Sequence, residues 1–212
     1  MARLLVVLDV DSTLINEEAI ELIADEAGAG ERVAAITERA MAGELDFAAS
    51  LAERVGALAG LPLDRLTAAA QRISLTPGAR ELVAGVHAAG GAVAVVSGGF
   101  HELLDPIAEE LGLDAHRANR LDIEDARLTG RTTGPVIDAA AKAAALAEWA
   151  ERFAVPRSRV VAVGDGANDL AMMEAATLSV AFCAKPIVRA RAHVSVDRRD
   201  LSAVLPLLGL RG

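Results

Sequence analysis

Four short stretches of the chain are almost continuously apolar: residues 4–8, 92–96, 160–163 and 178–182. Runs of this length without polar alternation predict strands covered on both faces. Between them, residues 77–89, 100–111, 138–153 and 168–176 read as helices. Strands that alternate with helices predict a parallel sheet joined by right-handed crossovers.

Residues 16–74 break this rhythm. They hold no comparable apolar run, and residues 17–27, 31–42, 46–57 and 63–73 each read as helix. Gly28, Gly43 and Gly60 punctuate the four segments, and Asp46 suits an N-cap. The predicted organisation is a Rossmann-like α/β core over residues 1–15 and 75–212, with a helical-bundle cap over 16–74 inserted after the first strand.

Composition narrows the possible partners. The net charge of −9 and the scattered arginines argue against a nucleic-acid surface. Arg189, Arg191, Arg198 and Arg199 are interleaved with apolar and acidic residues and are expected on a solvated face. Hydrophobic residues make up 53% of the chain but aromatics only 2%, so helices must pack closely through alanine. Residues 82–101 lack Asp, Glu, Lys and Arg, yet five glycines, two histidines and a serine suit helix, turn, strand and loop better than a membrane span. No signal-peptide pattern opens the chain. Cys183, the single cysteine, excludes an intrachain disulfide and is expected as a buried thiol. The expectation is a soluble cytoplasmic protein, monomer or homodimer, with neither a membrane nor a nucleic-acid partner.

The chemistry lies just beyond the end of each strand. The first run leads into Asp9 and Asp11, the second into Ser97, and the third into Gly164, Asp165, Asn168 and Asp169. Ligands of open parallel sheets bind outside the carboxyl ends of the strands, so these clusters share one crevice if their strands are neighbours. Four aspartates gathered there call for a hard cation, and Mg²⁺ fits carboxylates, water and substrate phosphate. A single strand-end aspartate would more readily be a helix cap; two such clusters make that explanation poor. An EF-hand starting at Asp9 fails, because Leu14 and Ile20 stand where Gly and Glu are needed. No GxxxxGK[ST] occurs, and no GxGxxG comes after a strand.

The string DVDST, Ser97 after the second strand, Lys142 on a later helix and GDGAND after a further strand resemble, in order and spacing, the four motifs of the haloacid dehalogenase superfamily. An insert of helices directly after DVDST is similar to one of its cap types. The strings DVDSTLINEEAIE, TERAMAGELDFAASLAERV, VVSGGF, HRANRL, GDGANDLAMM and AKP resemble in particular the members that act on O-phospho-L-serine. Cys183 stands where many members have Asn.

That resemblance implies a Mg²⁺-dependent phosphomonoesterase, serving the last step of serine biosynthesis. Asp9 would be the nucleophile and Asp11 the general acid and base. The Asp9 carboxylate, the Asp11 carbonyl, Asp165 and Asp169 would serve the metal. Ser97, Gly98, Lys142 and Asn168 would hold the phosphoryl group. Glu18 would take the substrate ammonium and Arg54 its carboxylate, with Met41 and Phe47 as covers. Taken singly, Lys142 reads as a solvated helix lysine, Glu18 and Arg54 as surface charges, and Met41 and Phe47 as core. Two other hypotheses stay open: a phosphatase or phosphotransferase of the same superfamily acting on another small phosphorylated metabolite, and a non-catalytic binding protein on this fold, which the intact motifs disfavour.

Overall fold

In the computed structural model, which describes residues 2–210, the apolar runs become the centre of one seven-stranded sheet. Strands β1 (Leu5–Leu8), β2 (Ala92–Phe100), β3 (Ala115–Glu124), β4 (Arg127–Thr133), β5 (Val160–Gly164), β6 (Leu178–Phe182) and β7 (Val194–Val196) lie in the order β4-β3-β2-β1-β5-β6-β7. All neighbours are parallel except β3 and β4. The chain is a Rossmann-like α/β protein, and the sequence prediction of β1, β2, β5 and β6 holds.

Strand β1 sits between β2 and β5, so the sheet order reverses around it and a crevice opens at the carboxyl ends of those three strands. Its side chains alternate between two cores. Val6 and Leu8 join Leu82, Val86 and Leu104, from α5 (Ala79–Ala88) and α6 (His101–Leu111). Leu5 and Val7 join Leu146, Trp149 and Met172, from α7 (Ala139–Arg152) and α8 (Leu170–Ala175). Burial on both faces is why these strands are apolar at nearly every position.

Residues between β1 and α5 form α1 (Ala19–Glu26), α2 (Gly30–Met41), α3 (Phe47–Gly56) and α4 (Leu63–Gln71). Asp46 caps α3 by accepting from Ala49 N at 2.7 Å. Gly28, Gly43 and Gly60 adopt φ of 62°, 81° and 85°, the left-handed region that ends a helix without a Cβ clash. The four helices share a third apolar cluster with Phe100 and Leu103, and with Leu121 and Leu128 of the β3–β4 hairpin.

Strands β3, β4 and β7 were not expected from the apolar pattern. Among the described residues, no helix is long and apolar enough to cross a membrane. Cys183 is half-buried with φ of 46°, not enclosed in the core.

Candidate active site

The turn leaving β1 fixes the first cluster. Asp9 N donates to Val163 O at 2.9 Å, which ties the turn to β5. The Asp9 carboxylate accepts from Val10 N at 2.7 Å, and residues Val10–Leu14 then make one wide, non-helical turn closed by Ile15 N donating to Val10 O at 3.0 Å. Within it Ser12 takes φ of 55°, a strained choice for a side chain with a Cβ. That turn places Ser12 Oγ 2.7 Å from Glu18 Oε1, to which it donates. Asp11 Oδ1 accepts from Ala19 N at 2.7 Å, at the start of α1.

The second cluster ends β2. Ser97 Oγ donates to Asp11 Oδ2 at 2.8 Å and accepts from Gly99 N at 2.7 Å. Gly98 and Gly99 sit in tight quarters. A Cβ on Gly99 would lie 2.9 Å from Asp11 Oδ2, and one on Gly98 would lie 3.0 Å from Phe47 Cζ.

The third cluster comes after β5. Asp169 Oδ2 accepts from Asp165 N at 3.1 Å and Gly166 N at 3.0 Å. Its Oδ1 accepts from Lys142 Nζ at 2.8 Å, and the same ammonium donates to Asp9 Oδ1 at 2.6 Å. Lys142 is fully buried, so it is neither a solvated helix lysine nor a residue of the open cleft wall. Asp138 caps α7 by accepting from Ala141 N at 2.8 Å, which sets the helix that delivers this lysine.

Charge balance governs the centre. Burial, and then the neighbouring Asp169, push the Asp9 carboxyl well above the usual carboxylate range, against the pull of Lys142. Asp165 is raised for the same two reasons, with Lys185 and Lys142 opposing. Burial would lower the Lys142 ammonium, but Asp9 and Asp169 overcome it and hold it above its ordinary value.

Carboxylate oxygens of Asp9, Asp165 and Asp169 all lie within 4.8 Å of one another. Of the four carboxylates gathered here, Lys142 meets those of Asp9 and Asp169, while Asp11 and Asp165 have no such cation in hydrogen-bond contact among the described residues. An oxygen-rich group of this charge fits a hard divalent cation. Both Asp169 oxygens are already occupied by protein donors, so Asp9 and Asp165 are the better placed ligands, and Asp169 holds Lys142 and the loop in position. Thr13 Oγ1 approaches Asp165 Oδ1 at 3.4 Å.

Above these residues lies a cleft of about 410 Å³, floored by Asp9, Asp11, Gly98, Asp165 and Asn168 and walled by Glu18, Met41, Phe47 and Arg54. The three strand-end clusters and the helical insert therefore meet at one place. Ser97 and Lys142 lie behind the floor, both buried, and Met41 is 79% exposed at the rim. Burial among the walls, and then Asp11, raise the Glu18 carboxyl to about 7, while Ser12 opposes the rise. Burial lowers the Arg54 guanidinium from its ordinary value, against the pull of Glu18 and Asp11.

Sequence reasoning assigned no role to Lys185, Thr13, Gly99 or Asn119. Lys185 lines the cleft; its only sequence signal was the string AKP. Asn119 touches Gly98 from behind, and HRANRL alone gave no reason to choose it.

Carboxylates, a buried ammonium and main-chain amides thus meet beyond the ends of three neighbouring parallel strands. The profile of the haloacid dehalogenase-like hydrolases matches residues 6–174, and the chain belongs to that family. The more particular likeness is to phosphoserine phosphatases. One from Streptomyces coelicolor is 52% identical over 209 residues, covering 99% of this chain and 51% of that protein. Another, from Lactococcus lactis, is 48% identical over 204 residues, covering 96% of this chain and 94% of that one. The chain thus spans about half of the first relative and nearly all of the second. Two solved structures, a phospho-aspartyl intermediate analogue of phosphoserine phosphatase and a substrate-bound phosphoserine phosphatase, each superpose with a TM-score of 0.92 at 43% identity over 98% of this chain.

Proposed function

We propose that this chain hydrolyses O-phospho-L-serine to serine and phosphate through an aspartyl-phosphate at Asp9, with Mg²⁺ as cofactor. One observation carries the choice of substrate. Glu18 and Arg54 line the same cleft as Asp9 and Asp11, so an anionic and a cationic side chain stand over the reacting carboxylates. A phosphomonoester that also bears an ammonium and a carboxylate matches that pair. Arg54 suits the carboxylate because its fork donates two parallel bonds.

The reaction divides into two displacements. The Asp9 carboxylate attacks phosphorus, the P–O bond to serine breaks, and Asp11 delivers its proton to the departing serine oxygen. Water then attacks phosphorus, gives its proton back to Asp11, and the acyl-phosphate bond breaks to regenerate Asp9. Ser97 orients Asp11 through their 2.8 Å hydrogen bond. The Gly98 amide and Asn168 lie at the floor where phosphoryl oxygens would rest. Lys142 offsets the charge of Asp9 from behind. Asp9, Asp165 and the Asp11 carbonyl would hold Mg²⁺, which when bound screens the repulsion between the carboxylate and the phosphate. Met41 and Phe47 would cover the bound substrate, and Asp169 would keep the loop and Lys142 aligned.

The test is phosphate release from a panel of phosphoserine, phosphoethanolamine and sugar phosphates, with Mg²⁺ and with chelator. Phosphoserine is expected to lead the panel, and chelator to stop release. Sugar phosphates turned over far faster than phosphoserine would overturn the substrate assignment.

A further inference from the structure

Asn119 lies on β3, is only 1% exposed, and has both ends of its carboxamide committed. Its Nδ2 donates to Gly98 O at 2.8 Å, and its Oδ1 accepts from Ile137 N at 2.9 Å. The two ends cannot be exchanged, because a backbone carbonyl only accepts and a backbone N–H only donates.

The strand ladder does not do this work. The pairing of β2 with β3 shifts register between Val96 and Phe100, where the phosphate turn lies, and resumes with Phe100 opposite Asn119. In that gap a side chain supplies the hold on the Gly98 carbonyl. The C=O and the following N–H of one planar peptide point in opposite directions. Fixing Gly98 O therefore aims Gly99 N–H the other way, where it donates to Ser97 Oγ at 2.7 Å. With that lone pair engaged, the Ser97 hydroxyl donates to Asp11 Oδ2 at 2.8 Å. The other arm of Asn119 reaches Ile137, the residue before the Asp138 cap of the helix that carries Lys142.

We propose that Asn119 is a positioning residue of the reaction: it sets the Gly98–Gly99 peptide, and through Ser97 the aim of Asp11, while tying the phosphate turn to the start of the lysine helix. This role rests on the assignment of proton transfer to Asp11. Asn119 itself does not line the cleft. Ground-state binding by Glu18 and Arg54 comes from other elements and is independent of it.

The experiment compares wild type, Asn119→Ala and Asn119→Asp in the full chain with Mg²⁺ and phosphoserine. It measures kcat, KM, thermal midpoint and phosphoenzyme trapped per chain. Asn119→Asp is nearly isosteric and keeps an acceptor for Ile137, but sets an oxygen against the Gly98 carbonyl. Both variants are expected to lose kcat by about tenfold to a hundredfold, the cost of misaligned reacting groups. KM is expected to stay within about threefold, because the cap contacts are untouched. If the folded variants keep kcat within about twofold and only the thermal midpoint falls, Asn119 is merely a brace and the proposal is overturned. A rise in KM that accounts for the whole loss overturns it too. A wild-type chain inert toward phosphoserine would overturn the reaction and this role together, whereas an active wild type with an unimpaired Asn119→Ala overturns the role alone.

Discussion

Lys142 Nζ lies 2.6 Å from Asp9 Oδ1 and 2.8 Å from Asp169 Oδ1, in a place closed to solvent. The lysine therefore offsets the charge of the Asp9 and Asp169 carboxylates from behind the floor of the cleft. Removing it strands buried carboxylates. Lys142→Met is expected to cost about 3–5 kcal/mol of stability, the range for breaking one side of a buried pair. Turnover is expected to fall by about 10²- to 10³-fold. The ammonium is held above its ordinary value in the fold. Its contribution is thus complete below the unfolded lysine value of about 10.4 and is lost only as pH climbs through the raised one. Denaturant midpoints from pH 7 to 11 check this: wild type should exceed the variant throughout, and a variant of equal stability would refute the pairing.

Asp9 carries the opposite sign. Its carboxyl is raised well above the usual range, by burial first and then by Asp169. A raised acid stabilises the fold below its unfolded value of about 3.9, and that contribution disappears as pH rises. At pH 8 without metal, Asp9→Asn should therefore raise the thermal midpoint. The same substitution should abolish turnover. Mg²⁺ should restore the balance in wild type, adding about 2.7 kcal/mol at a hundredfold excess over Kd, and less in Asp9→Asn. Thermal scans with Mg²⁺ and with chelator decide it; a midpoint indifferent to Mg²⁺ in wild type would rule out the metal assignment.

The same physics explains how far the sequence alone could be read. Strands β1, β2 and β5 are covered on both faces, so burial wrote itself into uninterrupted apolar runs, and their ends announced Asp9, Ser97 and Asp165. Strands β3 and β4 form an edge hairpin with arginines and acids on the open side, and their pattern is diluted. Their turn is Asp125–Ala126, with φ of 47° and 58°. Two left-handed residues make a tight hairpin turn, but without the Asn-Gly or Asp-Gly pair that would signal it. Lys142 was found by motif and misjudged by burial when taken alone, because only the partners, far apart in sequence, show why a lysine can be enclosed. Asn119 lay beyond reach for the same reason: its two hydrogen bonds join three separate segments.

Ser50, on α3, has a buried hydroxyl with no hydrogen-bond partner among the described residues, although its carbonyl accepts from Arg54 Nε at 3.3 Å. An unsatisfied buried polar atom costs about 1–3 kcal/mol. Alanine fits the same space and favours helix. Ser50→Ala is therefore expected to raise stability by about 1 kcal/mol, measured as a shift in the urea midpoint at constant m-value. A loss of stability would mean that the hydroxyl has a partner in solution.

Glu18 offers a test of substrate choice through pH. Its carboxyl is raised to about 7 by burial among the cleft walls and by Asp11, so near neutrality it is only part ionised. The ammonium of phosphoserine needs the ionised form. KM for phosphoserine should therefore fall as pH rises through about 7. A substrate analogue with hydroxyl in place of ammonium shares the phosphate ionisation near pH ~6 but not this dependence. The ratio of the two KM values then isolates Glu18. Glu18→Gln should flatten that ratio and raise KM for phosphoserine by about 10- to 100-fold, the loss of one charge-assisted contact. For stability the raised acid helps below its unfolded value of about 4.3, and the help is lost as pH climbs toward 7. The glutamine variant should thus be the more stable protein above pH 7, by no more than about 1 kcal/mol because water reaches the cleft mouth and screens the charge. A variant that binds phosphoserine as wild type does, at every pH, would remove Glu18 from the ammonium site, and a variant that binds worse while folding better would show a residue kept for its ligand at the expense of the fold.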